Sequence, residues 1–394
     1  MATEGPWAVT YQHGSVTIDI QGEHLGDLAW LREFLEPWCE EARPAADALR
    51  VRAVRSDRLV ETLRIAWQNR RGTDEAIAPL ACIRLDTRTV AFEGWSERGT
   101  VRLVDPLTDC FFVISGRNVD VVGSQNGDRI RIALLGVIRE AIAGAIAASS
   151  AVVDLHAAAF ASGDRSVVIA GPKRSGKTSL LCHAITSGGA KLLANDRVFA
   201  RVDTVPASAY GVPTVVSIRR GTLATFPQLG NPSAFESSAA SIHAFPEIER
   251  DGWMRGQRTG EGPKTDGPLK LTPRRFAARL GAGQVSQAPL TAIVLPELVS
   301  DLSGWSLETL PRDVAARRIT CCLFGVEAER DRSTFFGGLS PLPRTGRTTP
   351  MTLETTSAIE RLVATVPVHR CRLGPDVYRQ PAELLIRALG LPVP

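Results

Sequence analysis

Lysine is scarce in this chain. Of its 46 basic residues only five are lysines, and the arginines that make up the rest are scattered. No block of five or six like charges occurs, which excludes a nucleic-acid tail and a polybasic membrane anchor. The seven cysteines are odd in number and dispersed, without a C-x-x-C pair. That pattern argues against a disulfide framework and against a zinc site. No apolar run reaches the roughly 18 residues that span a bilayer, and the opening MATEGPWAVTYQHG is neither a signal nor a transit peptide. A cytoplasmic protein that binds neither nucleic acid nor membrane is expected. The guanine-reading motif N-K-x-D is also absent, which argues against a GTPase.

The 394 residues suffice for two domains or one elaborated one. Residues 1–127 carry short alternating segments, among them VTIDI, ACIRLD, TVAFEG and DCFFVISG, that read as strands, and LAWLREFLEPW reads as a helix. They form an N-terminal α+β region whose role is acceptor recognition or sheet extension. From residue 128 onward the period changes. Ile130, Leu134, Ile138, Ile142 and Ile146 recur at helical spacing. VVDLHAAAF and SVVIA then read as buried strands, a helix runs to Gly188-Gly189, and KLLAND and VFARVD follow as strands, the second leading into a hairpin. This is an α/β pattern. Residues 249–272 and 337–350 read as long polar loops, the first either disordered or a mobile lid near a site. Between and after them the sequence predicts a strand TAIVLP, helices at 312–319 and 354–365, a strand VPVHRCRL and a closing helix PAELLIRAL.

Chemistry concentrates at Gly171-Pro172-Lys173-Arg174-Ser175-Gly176-Lys177-Thr178, a full G-x-x-x-x-G-K-[ST] motif followed by Ser179. Consecutive backbone N–H groups of such a loop curl around phosphate oxygens, and the following helix turns its positive end to them. Lys177 would reach the β- and γ-phosphates, and the Thr178 hydroxyl would ligate Mg²⁺. A metal-associated acid is also required, and Asp196 ends the strand KLLAND only eighteen residues after Thr178. So short a gap brings the next strand directly back beside the loop. His156 and Asp154 lie two apart on the strand before the loop and share one face. Arg219 and Arg220, after the strand TVVSI, are candidate cations for the transferred phosphoryl group.

Taken together, LHAAAF, GPKRSGKTSL, LLANDRV, the P-x-x-V-S-I-R-R-G segment after Tyr210 and the tail VPVHRCRLGPDVYRQPAELL resemble the HPr kinase/phosphorylase-like proteins over roughly residues 128–390. The resemblance implies a P-loop kinase core related to phosphoenolpyruvate carboxykinase, a mixed central sheet flanked by helices, across residues 128–394. It implies ATP and Mg²⁺ as donor and metal, and a hydroxyl-bearing acceptor, either serine in a peptide or a small molecule. A homo-oligomer is compatible with it, since HPr kinases form hexamers. Two departures bear on function. The family has two adjacent acids where this chain has Asn195-Asp196, so Asp196 matches the metal-associated acid and Asn195 cannot be a base. His156 or Asp154 would stand in, or no base is needed, since phosphoryl transfer is mainly positioning and charge neutralisation. No HPr-kinase signature follows the acid, which makes HPr itself a poor substrate. The expected function is therefore an ATP/Mg²⁺-dependent phosphotransferase. The alternative is a nucleotide-binding regulatory ATPase or switch protein without phosphotransfer.

Overall fold

The computed structural model describes residues 4–13, 16–36, 38–70, 76–85, 88–105, 108–127, 129–147, 151–172, 174–230, 269–324 and 353–376. Most of the expected lid loop, the second long loop, the closing helix, Lys173 and His243 lie outside them. The described chain is mixed α/β, built on two large sheets.

The first sheet has nine strands: β1 (Glu4–His13), β2 (Val16–His24), β3 (Glu40–Glu41), β4 (Leu49–Arg55), β5 (Ala76–Leu85), β6 (Arg88–Glu97), β7 (Thr100–Asp105), β8 (Cys110–Ser115) and β9 (Asn118–Gly123), in the order β3-β1-β2-β4-β9-β8-β7-β6-β5. β2, β4 and β9 run parallel and their neighbours antiparallel. Period-two alternation assigns its faces. Ile18, Ile20, Val51, Val119 and Val121 face one core together with Trp30, Leu31 and Phe34 of α1 (Leu25–Leu35). Trp95, Phe111 and Val122 face Val60 and Leu63 of α2 (Asp57–Arg70) on the other side. The sequence reading missed α2, because its apolar stripe is thin and most of its surface is charged or polar.

Helix α3 (Arg129–Ala147) carries the expected apolar face, with Ile130, Leu134, Val137, Ile138 and Ile142 buried. It packs on both sheets, touching β4 and β9 of the first and β10 (Val152–Ser162) of the second. Its first turn is pinned by a buried charge cluster. Asp27 of α1 accepts from Arg55 at 2.7 and 2.9 Å and from Arg131 at 2.8 Å.

The second sheet comprises β10, β11 (Arg165–Ala170), β12 (Lys191–Ala194), β13 (Arg197–Arg201), β14 (Ser208–Gly211), β17 (Gln287–Leu298), β18 (Trp305–Thr309) and β19 (Val368–Leu373). A separate short pair, β15 (Val216–Ile218) and β16 (Leu269–Leu271), stands beside it. The pairings β10-β13-β14-β17-β11 close on β10, because long β10 and β17 each change partner along their length. Ala158 and Phe160 of β10 point to the core shared with α3 and with α4 (Lys177–Gly188). Val153, Leu155, Ala157 and Ala159 point to the opposite core, covered by α7 (Arg312–Thr320) and α8 (Leu353–Thr365). Two short helices, α5 (Arg220–Thr225) and α6 (Pro273–Arg279), complete the described elements. No helix among the described residues is long and apolar enough to cross a membrane.

Candidate functional site

The buried strand β11 ends at Ala170 and the chain turns at once into the Gly171–Gly176 loop and α4. Gly176 caps α4 with φ 95°, in the left-handed region where a Cβ is strained, so glycine is required there. Arg174 also takes a left-handed φ of 70°, as Arg98 and Asp109 do in strand–strand turns of the first sheet. The Lys177 ammonium is buried and donates to the Gly171 carbonyl at 2.7 Å and the Pro172 carbonyl at 2.9 Å. The side chain thus arches over its own loop. Within it the buried Ser175 hydroxyl has no hydrogen-bond partner among the described residues. An orphaned donor in a glycine-bearing loop at the start of α4 suits an anion.

Strands β12 and β13 lie on one line. Ala194 is opposite Ala159 and Arg197 opposite His156, both along β10, so Asn195 and Asp196 interrupt a single antiparallel partner of that strand. The Asp196 carbonyl still accepts from Ala157 N–H at 3.1 Å, which fixes the break. This is why eighteen residues suffice to return an acid to the loop. Asn195 Oδ1 lies 3.5 Å from the Thr178 hydroxyl, and Asp196 Oδ1 lies 3.4 Å from His156 Nε2. Burial would raise the Asp196 carboxyl, but the hydrogen bond from His156 and the charges of His156, Arg139 and Lys177 outweigh it and hold it below the ordinary carboxylate value.

Asp154 is placed differently from the expectation. It shares the His156 face, yet Arg197 grips its carboxylate from Nη2 at 2.7 Å and from Nε at 3.1 Å. The same guanidinium reaches Glu140 of α3 at 3.3 Å and stacks over Phe324 and Phe199. Arg197 is 9% exposed, and its charge is held strongly in the protonated form, burial being overcome by Asp154 and Glu140. A carboxylate committed to a buried guanidinium is neutralising that charge and is a poor base. Of the two base candidates, His156 is the one left at the site.

The other expected residues are distributed around this centre. Ser179 contacts Thr222 of α5, oxygen to oxygen, at 3.1 Å, which sets the Arg219–Arg220 segment beside α4. Arg219 is exposed there, and the Arg220 side chain lies outside the described atoms. Sequence reasoning missed Arg139, Glu140, Arg197 and the 322–324 segment. Residues 322–324 pair along the edge of β10, with His156 N–H donating to the Cys322 carbonyl and Phe324 N–H to the Asp154 carbonyl. The polar pair Arg139-Glu140 within the apolar body of α3, beyond its arginine-bearing first turn, was a signal for two of them.

Oxygen donors dominate. Thr178 lies against Asn195, Asp196 is the next residue along, and no group of three His, Cys, Asp or Glu suited to a metal occurs among the described residues. That donor set fits Mg²⁺, which takes oxygen ligands, keeps several waters and arrives with phosphates. Neither the protein-family models nor the curated proteins compared with the chain match it.

Proposed function

We propose that the chain is an ATP/Mg²⁺-dependent phosphotransferase acting on a hydroxyl, with a P-loop core of the HPr-kinase-like type. The observation that carries the reading is the break at Asn195-Asp196. It sets one polar residue against Thr178 and one acid against His156, within reach of a loop whose lysine and orphaned hydroxyl suit phosphate. A generic anion-binding turn has no use for that acid–imidazole pair.

Thr178 and Asp196 would hold Mg²⁺, whose chemistry is to neutralise the β- and γ-phosphate oxygens of the bound nucleotide. Lys177 would leave the Gly171 and Pro172 carbonyls for those oxygens, and loop N–H groups would orient them. Asp196, held below its ordinary pKa, stays ionised and suits a metal ligand better than a proton acceptor. With His156 Nε2 directed at Asp196, the other ring nitrogen, Nδ1, would take the acceptor's proton. The acceptor oxygen then bonds to the γ-phosphorus as its bond to the bridging oxygen breaks, and ADP leaves. Arg219 adds positive charge at the rim.

The alternative, a regulatory ATPase that transfers no phosphate to an acceptor, is favoured by Asn195 alone, where an amide stands in place of an acid. Titration calorimetry with ATP and radiolabelled transfer from γ-labelled ATP to hydroxyl-bearing peptides and small molecules test the reading. Lys177→Ala should lose binding and transfer together. Transfer surviving in that variant would end it, and ATP hydrolysis without any labelled acceptor across the panel would favour the switch.

A further inference from the structure

Trp38 lies 155 positions before Leu193, yet its indole N–H donates to the Leu193 carbonyl at 3.0 Å in a fully buried contact. Leu193 belongs to β12, two residues ahead of Asn195. Gly211, at the end of β14, packs into the same point. A Cβ there would collide with the Leu193 carbonyl oxygen and the Trp38 indole nitrogen, so the close approach requires glycine. The Gly211 main chain also hydrogen-bonds the buried His13 ring at the end of β1. The stretch after α1 therefore closes on β12 just before the acidic break, and the end of β1 reaches the neighbouring Gly211 of β14.

A four-residue strand has little hold of its own and takes its position from what it packs on. Its far end carries Asn195 toward Thr178 and Asp196 toward His156. We propose that Trp38 is a positioning residue for that turn. Alongside the β10 pairing and the Ala157–Asp196 hydrogen bond, its hold on Leu193 helps set where Asn195 and Asp196 stand, so the N-terminal region would support the metal side of the proposed phosphate site. The inference rests on the nucleotide reading of the site. Coupling is reciprocal: if Trp38 sets the turn, Mg²⁺–ATP bound at the turn must be felt at the indole.

The test uses the full chain labelled with ¹⁵N-tryptophan. The Trp38 indole N–H signal, assigned through its proximity to Gly211, should shift on adding Mg²⁺–ATP, shift less with ATP in EDTA, and stay still in Lys177→Ala. This measurement needs no variant of Trp38 to fold. In Trp38→Phe, which keeps a ring in place and removes the donor, the gain in ATP affinity conferred by Mg²⁺ should fall about fivefold, while metal-free ATP affinity stays within about twofold. A wild-type indole signal unmoved by bound Mg²⁺–ATP, or a normal Mg²⁺ gain in Trp38→Phe, overturns the inference alone. A wild-type chain that binds no ATP overturns the nucleotide reading and the inference with it.

Discussion

Replacing Asp154 by asparagine tests whether its carboxylate serves the fold or the proposed chemistry. Arg197 holds Asp154 at 2.7 and 3.1 Å, and Glu140 at 3.3 Å is the guanidinium's second partner. The introduced amide would keep one acceptor oxygen and lose the charge. A hydrogen bond to a charged group contributes about 1.5–3 kcal/mol, and a carboxylate 25% exposed is screened toward the low end. The expected loss is about 2 kcal/mol, roughly a thirtyfold change in the folding equilibrium. Glu140 limits the damage, because Arg197 is not left without a counter-charge. Urea unfolding followed by tryptophan fluorescence should show the midpoint falling with an unchanged slope. Mg²⁺-dependent ATP turnover, measured well below that midpoint, should stay within about threefold of wild type. Loss of a general base costs on the order of a hundredfold or more. Turnover reduced that far, with the urea midpoint unmoved, would refute the assignment and return Asp154 to the catalytic set.

His156→Asn should leave ATP affinity near wild type by calorimetry and reduce phosphoryl transfer about a hundredfold; lost affinity would mean a structural role instead. Asp27→Asn breaks a carboxylate only 1% exposed and leaves Arg55 and Arg131 partly uncompensated, at a cost of about 3–5 kcal/mol in urea unfolding. Burial opposes ionisation of both Asp27 and Asp196, but their cationic partners win and hold both below the ordinary 3.8. Depressed carboxyls give stability that is complete above the unfolded value and is lost as pH falls through the folded one. Acid unfolding should therefore set in below about pH 4, less steeply in Asp27→Asn. Gly211→Ala, which drives a methyl into the Leu193 carbonyl and the Trp38 indole, should cost about 3 kcal/mol and reduce soluble yield.

The strand–loop–helix unit was legible because each signal in it is local. SVVIA is uniformly apolar, Gly176 and Gly189 mark both ends of α4 with positive φ, and the motif lies between them. The helix over residues 129–147 showed in its isoleucine spacing. What stayed hidden depends on partners far along the chain. α2 offers only two buried side chains, and β18 alternates weakly because it is an edge strand with one neighbour. Asp154 and His156 read alike, two residues apart on one face. The register of β13 then put Arg197 opposite His156 and diagonal to Asp154, and that separated their roles.

The sequence alone determined where the G-x-x-x-x-G-K-[ST] loop lies, which strand feeds it and which helix follows. Those features are set by backbone conformation and by side-chain period, and both are written in neighbouring residues. Tertiary structure alone decided which charged groups meet there. It laid β12 and β13 end to end along β10, so Asp196 faces His156 and Arg197 takes Asp154. It also brought Trp38 against Leu193 across 155 positions. Electrostatic roles depend on distances of a few ångströms between groups remote in sequence, and only the packed sheet fixes those distances.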